Sequence, residues 1–446
     1  VYSTCLAIQN LWLAARVEGL GVGWISILEP SFVAESFGLP EGVIPVAYLA
    51  LGRPIEFPRE PLLERVGWRE REKLEQLVFR ERFGEPFGMS PLSTKDASEP
   101  DRMRSDPEVR DRAEERLDAL TKPKGSLGRL EELALQLCAV QGTEFPRVDR
   151  RVLLLFAGDH GVAEEGVSAY RTEITARMVY QFVAGGAAVN ALARRTGLPL
   201  RIIDVGVDHD FESAKGVRHA KVRRGTRNMR RESAMTESET RAALEAGAAA
   251  VRAEDNLEVV ALGEMGIANT TPAAALICAL LELDPTEVVG RGTGVGEKTL
   301  QTKRDVVRDA LALHAATSTE PLELLARLGG YEIAALVGAI LEAASRRVLV
   351  VLDGFIVGAA ALVAHRLRPE VLPHLVAGHV GGELGHRVVL ESLGLHPLLD
   401  LDLRLGEGSG AVMALDLVDA AARILGEMDT FEEAGIERPD RPEGLR

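Results

Sequence analysis

Two glutamates in this chain sit where glycines leave a carboxylate room to reach a ligand. Glu264 lies in the turn Gly263-Glu264-Met265-Gly266, and Glu407 lies between Gly406 and Gly408, directly ahead of a helix-forming run. Neighbours without side chains let a carboxylate approach a ligand closely. Partial desolvation raises the pKa of such a group and suits it to general-base work near neutrality. As a bare pattern, Gly-Glu-Gly also describes an ordinary surface turn. The Glu264 turn leads into Asn269, Thr270, Thr271 and Pro272, then into an Ala/Leu run ending at Leu283. Thr271 is a suitable N-cap and Pro272 suits the first helical position. Residues 258–283 therefore read as strand, glycine turn and helix, with free backbone N–H groups and hydroxyls gathered at a helix N-terminus. Such an end attracts phosphate. The expectation is a phosphate cradle over residues 266–271 with a carboxylate beside it.

Three further clusters carry polar groups on glycine turns. Asp159 and His160, in Gly158-Asp159-His160-Gly161, follow an apolar run. Without a third ligand at helical spacing they suit loop fixing or ligand hydrogen bonding better than a metal. Gly290-Arg291-Gly292-Thr293-Gly294, with Lys298, Lys303 and Arg304 after it, suggests a second phosphate or ribose contact. The same string also fits a solvated turn before a charged helix. Residues 378–386, G-H-V-G-G-E-L-G-H, form a polar loop. No Walker lysine pattern is present, no Gly-x-Gly-x-x-Gly opens a helix after the first strand, and no Cys-His or Gly-x-Ser-x-Gly nucleophile is seen.

Positioning these groups requires strands and helices in alternation. Apolar runs at 152–156, 200–205, 259–262 and 348–352, with a weaker one at 371–376, each precede a glycine-bearing turn. Helices are expected at 109–120, 130–141, 187–195, 238–252, 272–283, 331–345, 355–366 and 411–427. Short buried runs alternating with helices predict an α/β fold: a Rossmann-like parallel sheet flanked by helices, with a smaller helical subdomain. Ligands in such sheets bind beyond the C-terminal strand ends, where all these turns fall.

With 446 residues, the chain has length for two or three domains, and its 46% hydrophobic content supplies a large core. A net charge of −15 excludes a general nucleic-acid surface. Cys5, Cys138 and Cys278 are scattered and odd in number, forming neither a disulfide framework nor a metal-ligand spacing; a reducing cytoplasm fits. No signal peptide and no bilayer-spanning run is found. The chain opens on Val1, which points to a non-standard start or to a beginning inside a longer protein.

Residues 1–88 read as a separate segment, 89–104 as a linker, and 105–446 as the main domain. A helix is expected at 7–16, strands at 24–28 and 45–52, and residues 90–104 have little apolar content. The strings A-I-Q-N-L-W-L-A-A-R (7–16), G-L-G-V-G-W-I-S-I-L (19–28) and P-V-A-Y-L-A-L-G (45–52) resemble the C-terminal half of flavin-dependent dimethylbenzimidazole synthases, an α+β branch of the nitroreductase-like fold. The N-terminal half of that family, with its arginine-rich flavin-phosphate site, is not matched. The resemblance implies FMN only if this segment is completed.

The main domain resembles the nicotinate-nucleotide–dimethylbenzimidazole phosphoribosyltransferases of cobalamin nucleotide-loop assembly. The resemblance rests on L-D-A-L-T-K-P-K-G-S-L-G-R-L-E-E-L-A (117–134), F-A-G-D-H-G-V-A-E-E-G-V-S-A-Y (156–170), G-G-A-A-V-N-A-L-A (185–193), G-E-M-G-I-A-N-T-T-P-A-A-A-L (263–276), G-R-G-T-G-V (290–295), L-D-G-F-I-V (352–357) and L-R-L-G-E-G-S-G-A (403–411). It implies phosphoribosyl transfer from nicotinate mononucleotide to dimethylbenzimidazole, with no cofactor or metal, in a homodimer. It places the catalytic glutamate on Glu407 and a supporting one on Glu264. It places phosphate contacts on Gly266, Asn269, Thr270 and Thr271, with Gly292, Thr293 and Lys303 nearby. Asp159, His160, Gly406 and Gly408 join the substrate-binding set, and Ser168 lines the base pocket. Arg171 and Arg177 stand where the family has Pro and Gln, on the implied wall of that pocket. Gly381 and Leu384 replace the Ser and Pro of the family's His-x-Ser-x-Glu-Pro-Gly-His loop. The alternatives are a bifunctional fusion with a working flavin site, or a nucleotide-binding protein without turnover; a pure binder has no need of the two glutamates.

Overall fold

The computed structural model describes residues 2–17, 20–25, 30–40, 43, 46–54, 106–211, 214–292, 294–315 and 318–437. The chain divides into two units, Val1–Ser93 and Thr94–Arg446. In the first, the helix Tyr2–Val17 precedes strand β1 (Gly21–Ile25), the helix Pro30–Ser36 and strand β2 (Tyr48–Gly52). β1 and β2 pair antiparallel, with Gly23 opposite Ala50. Residues 26–28 of the first expected strand, and the expected linker 89–104, lie outside the described residues.

Aliphatic runs buried on both faces build the second unit. Its strands are β3 (Arg151–Gly158), β4 (Leu200–Gly206), β5 (Val217–His219), β6 (Val259–Met265), β7 (Leu349–Leu352) and β8 (Leu375–Ala377). They form one sheet in the order β5-β4-β3-β6-β7-β8, and every neighbouring pair is parallel. The chain thus winds outward from β3 to one edge, returns beside β3 as β6, and winds to the other edge. This is a doubly wound sheet, and its order reverses between β3 and β6.

Successive strand residues point to opposite faces. Leu154, Phe156, Leu262 and Val350 therefore join one core, and Leu153, Leu155, Ala261 and Val351 the other. Burying a side chain such as Phe156 contributes about 1.5–3 kcal/mol. The first core is closed by helices that include Glu237–Arg252, Thr270–Leu281, Tyr331–Ser345 and Phe355–Leu367. The second is closed by Pro107–Ala119, Arg129–Gln141, Glu173–Ala184, Ala188–Arg195 and Ser409–Glu427. Glu237–Arg252 and Tyr331–Ser345 cross backbone to backbone: a Cβ on Gly247 would stand 1.7 Å from the Ala335 carbonyl oxygen, and one on Gly338 1.9 Å from that of Leu244.

The helix after β6 begins earlier than its sequence suggests. It spans Thr270–Leu281 with Asn269 at the N-cap, so Pro272 occupies the third helical position and Thr271 lies inside the first turn. Asn269 makes no capping bond, and its side-chain Nδ2 donates to Glu264. Proline is tolerated there because first-turn N–H groups have no intrahelical partner.

Candidate active site

The C-terminal ends of β6 and β7 open into a cavity of about 420 Å³. Its walls come from the turn after β6 (Glu264, Gly266, Asn269, Thr270), from the helix Glu173–Ala184 (Ile174, Met178), from Phe355 and Ile356, and from Leu405, Gly406 and Glu407. A second recess of about 830 Å³ shares Tyr170, Gly292, Glu383 and Arg404 with it, and adds Arg291 and Arg304. An apolar hollow therefore adjoins a cation-lined one.

Backbone contact brings the two glutamate turns together. A Cβ on Gly263 would meet the Gly408 nitrogen at 2.7 Å, and one on Gly406 would meet Glu264 Oε1 at 2.9 Å. Gly406, Glu407 and Gly408 are all left-handed, at φ +85°, +63° and +83°. Glutamate in that region is strained, and such strain is held only where surrounding contacts fix it. Here the clamp is Asp353, at the end of β7. Its Oδ2 accepts from the Gly408 N–H at 3.0 Å, and its Oδ1 from those of Gly410 at 2.7 Å and Ala411 at 3.2 Å. Asp353 thus serves the helix Ser409–Glu427 as a cap supplied from another element, in the favourable position for an anion.

Both glutamates are buried. Burial, then the Asp353 charge, pushes the Glu407 carboxyl up to about 7, while the Val189 N–H works the other way. Glu407 Oε2 has no hydrogen-bond partner in the protein. Burial pushes Glu264 up to about 8, with Glu332, Asp353 and Glu407 adding repulsion and the Asn269 amide opposing. Of the two, Glu264 thus holds its proton more strongly and Glu407 gives its proton up more readily.

The other expected residues divide into those at the cavity and those behind it. Gly266, Asn269, Thr270, Gly292 and Gly406 line it. Thr293 lies outside the described residues. The Thr271 hydroxyl is wholly buried without a partner and does not line this cavity. Nor are the N–H groups of the turn free as a set: Ile267 donates to Thr175 Oγ1 at 3.1 Å, Asn269 to the Gly266 carbonyl at 3.2 Å and Thr271 to that of Ala268 at 3.0 Å. Lys303 is fully buried, its Nζ donating to Thr270 Oγ1 at 2.9 Å and to the Gly290 carbonyl at 3.2 Å. It ties the Gly290 loop to the β6 turn from behind, and burial lowers its pKa against the pull of Glu383. Asp159 accepts from the Asp208 N–H at 2.9 Å, with its carboxyl raised mainly by burial. His160 Nε2 lies 2.6 Å from Glu332 Oε1 beneath Gly266. Gly408 sits under the turn rather than on the cavity wall. Ser168 Oγ accepts from the Tyr170 N–H at 3.2 Å, and Tyr170, not Ser168, reaches the cavity. Arg171 and Arg177 are exposed and outside the wall, which Ile174 and Met178 form one helical turn apart.

Residues 378–386, expected as a polar loop, are pinned. His379 bridges to Leu399, Gly382 donates to the Leu403 carbonyl at 3.1 Å, and Gly381 donates to His386 Nδ1 at 2.8 Å. Leu384 opens the helix Leu384–Ser392 at its first position, where a proline would also fit. Asp353 and His379 stood in the quoted motifs without a role of their own, and Glu332 stood in none; all three are buried partners. A lone charge in the apolar run Y-E-I-A-A-L (331–336) was the available signal for Glu332. Among the described residues, no group of three or more His, Cys, Asp or Glu is placed to hold a metal.

The fold agrees with comparisons to known proteins. A phosphoribosyltransferase family model matches residues 103–436, and a nitroreductase family model matches residues 1–53. The nicotinate-nucleotide–dimethylbenzimidazole phosphoribosyltransferase of Geobacter sulfurreducens is 49% identical over 337 residues, covering 75% of this chain and 96% of that protein. The one from Chlorobaculum parvum is 48% identical, covering 72% and 91%. A crystal structure of CobT from Thermus thermophilus superposes with a TM-score of 0.72 at 49% identity, covering 75% of this chain and all of that one. From the model match over 103–436 and these identities, the chain belongs to the nicotinate-nucleotide–dimethylbenzimidazole phosphoribosyltransferase family.

Proposed function

We propose that this protein transfers the phosphoribosyl group of nicotinate mononucleotide to dimethylbenzimidazole, giving α-ribazole 5′-phosphate and nicotinate, with Glu407 as the general base. The observation that carries the reading is the Glu407 carboxyl: buried at an apolar cavity, with one oxygen unpartnered and its pKa raised to about 7. The bond between C1′ and the nicotinate ring nitrogen breaks, and its electron pair returns to that nitrogen. The ring nitrogen is cationic beforehand, so nicotinate leaves without metal assistance. One benzimidazole nitrogen forms the new bond to C1′ from the opposite face, inverting β to α. The proton on the other nitrogen passes to Glu407. General-base transfer of this kind contributes roughly 10²–10⁴-fold.

In this reading the planar base lies among Ile174, Met178 and Leu405, and the phosphate is held near Gly266, Asn269, Thr270 and Gly292. Glu264, protonated, keeps Asn269 in place and offers a neutral neighbour to the reacting centre. The test is to mix the full chain with both substrates and follow nicotinate and the anomer formed. Nicotinate release that requires the base, with an α product, is expected; folded protein giving neither sinks the reading.

A second activity draws on the nitroreductase match over residues 1–53. A dimethylbenzimidazole synthase segment beside an enzyme that consumes dimethylbenzimidazole would join neighbouring steps. The basic side chains among its described residues are Arg16 and Arg53, which do not amount to a flavin-phosphate site, so no step is assigned to FMN. A flavin absorbance band in the purified chain would restore that activity; no binding of added FMN would exclude it. We further read the protein as a cytoplasmic homodimer, on its buried free Cys138 and Cys278 and on its family likeness. Light scattering at the mass of one chain would overturn the dimer.

A further inference from the structure

Behind the Glu407 turn lies a second charge centre with no part in the transfer chemistry described above. Asp353 accepts from Gly408, Gly410 and Ala411, so three of the four N–H groups after Glu407 converge on one carboxylate, while that of Ser409 turns back to the Gly406 carbonyl. His379 faces the same carboxylate, its Nε2 3.5 Å from Asp353 Oδ1. The ring also packs on the turn: a Cβ on Gly410 would fall 1.8 Å from His379 Cδ2. Both side chains are buried, at 1% and 3% exposure, and His379 reaches the cavity wall.

We propose that Asp353 and His379 are positioning residues for Glu407, an anion–imidazole couple that holds residues 406–408 in their left-handed course and sets the charge beneath the base. The inference rests on the reading of Glu407 as that base. Burial first, and then the Asp353 charge, opposes ionisation of Glu407. A protonated His379 beside Asp353 offsets that charge. Burial works against the imidazolium, but Asp353 at 3.5 Å outweighs it and raises its pKa. The other titratable and charged groups facing the couple among the described residues are Glu264 from β6 across Gly406, His386 with its ring centroid 5.9 Å from that of His379, Arg387 beyond His386, and Arg404 at the cavity rim. His386 accepts from the Gly381 N–H through Nδ1, and burial, then His379, pushes its pKa down to about 4, so it stays neutral and leaves His379 as the titrating member.

The sign follows. Removing the His379 cation leaves the Asp353 charge uncompensated, so Glu407 ionises at higher pH. Removing the Asp353 charge lets Glu407 ionise at lower pH. The test is the pH profile of kcat for nicotinate release in the full chain and in His379→Gln, Asp353→Asn and Glu407→Gln. The acid limb is expected to move up by about one pH unit in His379→Gln, roughly a tenfold loss at pH 6 that recovers at high pH. It is expected to move down in Asp353→Asn, whatever happens to the plateau. A merely structural role lowers the plateau and leaves the limb in place, and an unmoved limb in either folded variant overturns the proposal. Should His379→Gln fail to fold, the downward move in Asp353→Asn decides. A Glu407→Gln enzyme with full kcat would remove the reading of Glu407 itself, an outcome distinct from an unmoved limb.

Discussion

The Cα of Gly406 lies against the carboxyl of Glu264, so closely that a Cβ would stand 2.9 Å from Oε1. The turn bearing Glu407 and the strand bearing Glu264 fit together because residue 406 has no side chain. Gly406→Ala would displace the carboxyl and hold alanine at φ +85°, at about 1–2 kcal/mol. We expect kcat to fall at least about tenfold in a folded enzyme, since about 1.4 kcal/mol suffices for that. Wild-type kcat in Gly406→Ala would contradict this packing.

Glu264 links stability to pH. Its carboxyl goes from an ordinary 4.5 to about 8 on folding. A raised folded pKa contributes stability that is complete below pH 4.5 and lost as pH climbs to about 8. Glu264→Gln has no proton to lose. Its Tm relative to the wild type should therefore rise between pH 5 and pH 8, by on the order of a few degrees. A difference that stays flat over that range would show Glu264 titrating normally.

Lys303 acts from behind the cavity, through Thr270 and the Gly290 carbonyl. Lys303→Met removes a buried donor and leaves both acceptors unpaired, at about 1–3 kcal/mol. Because the loop it ties carries Gly292 to the cavity, KM for nicotinate mononucleotide should rise about tenfold or more. A fall in kcat alone, with KM unchanged, would place Lys303 in the chemistry instead.

The crossing at Gly247 and Gly338 tests the fold independently of the site. Gly338→Leu forces a side chain into the Leu244 backbone. Overpacking of this kind costs about 1–3 kcal/mol or more. Urea unfolding should show a lower midpoint in Gly338→Leu, and an unchanged midpoint would mean that the helices can separate freely.

Much of the frame was legible because aliphatic runs stop at glycines: β3, β4, β6 and β7 fall where those runs are, and Tyr331–Ser345 begins and ends as its periodicity indicates. β5 has three residues, Val217–His219, too few for any period to show. That Gly266, Asn269 and Thr270 gather at one turn was legible, and they line the cavity together. What periodicity cannot show is which hydroxyls and N–H groups the fold consumes internally. Thr271, Ile267 and Asn269 are spent on the protein's own bonds. Asp353, His379 and Glu332 come from distant segments, so their convergence on the two glutamates appears only in three dimensions.

The central claim is that the Glu407 carboxylate takes the proton of the attacking base. The direct measurement is kcat for nicotinate release in Glu407→Gln, with nicotinate mononucleotide affinity measured alongside. The account predicts a fall of roughly 10²–10⁴-fold in kcat with affinity changed little. A Glu407→Gln enzyme that keeps the wild-type rate would contradict it.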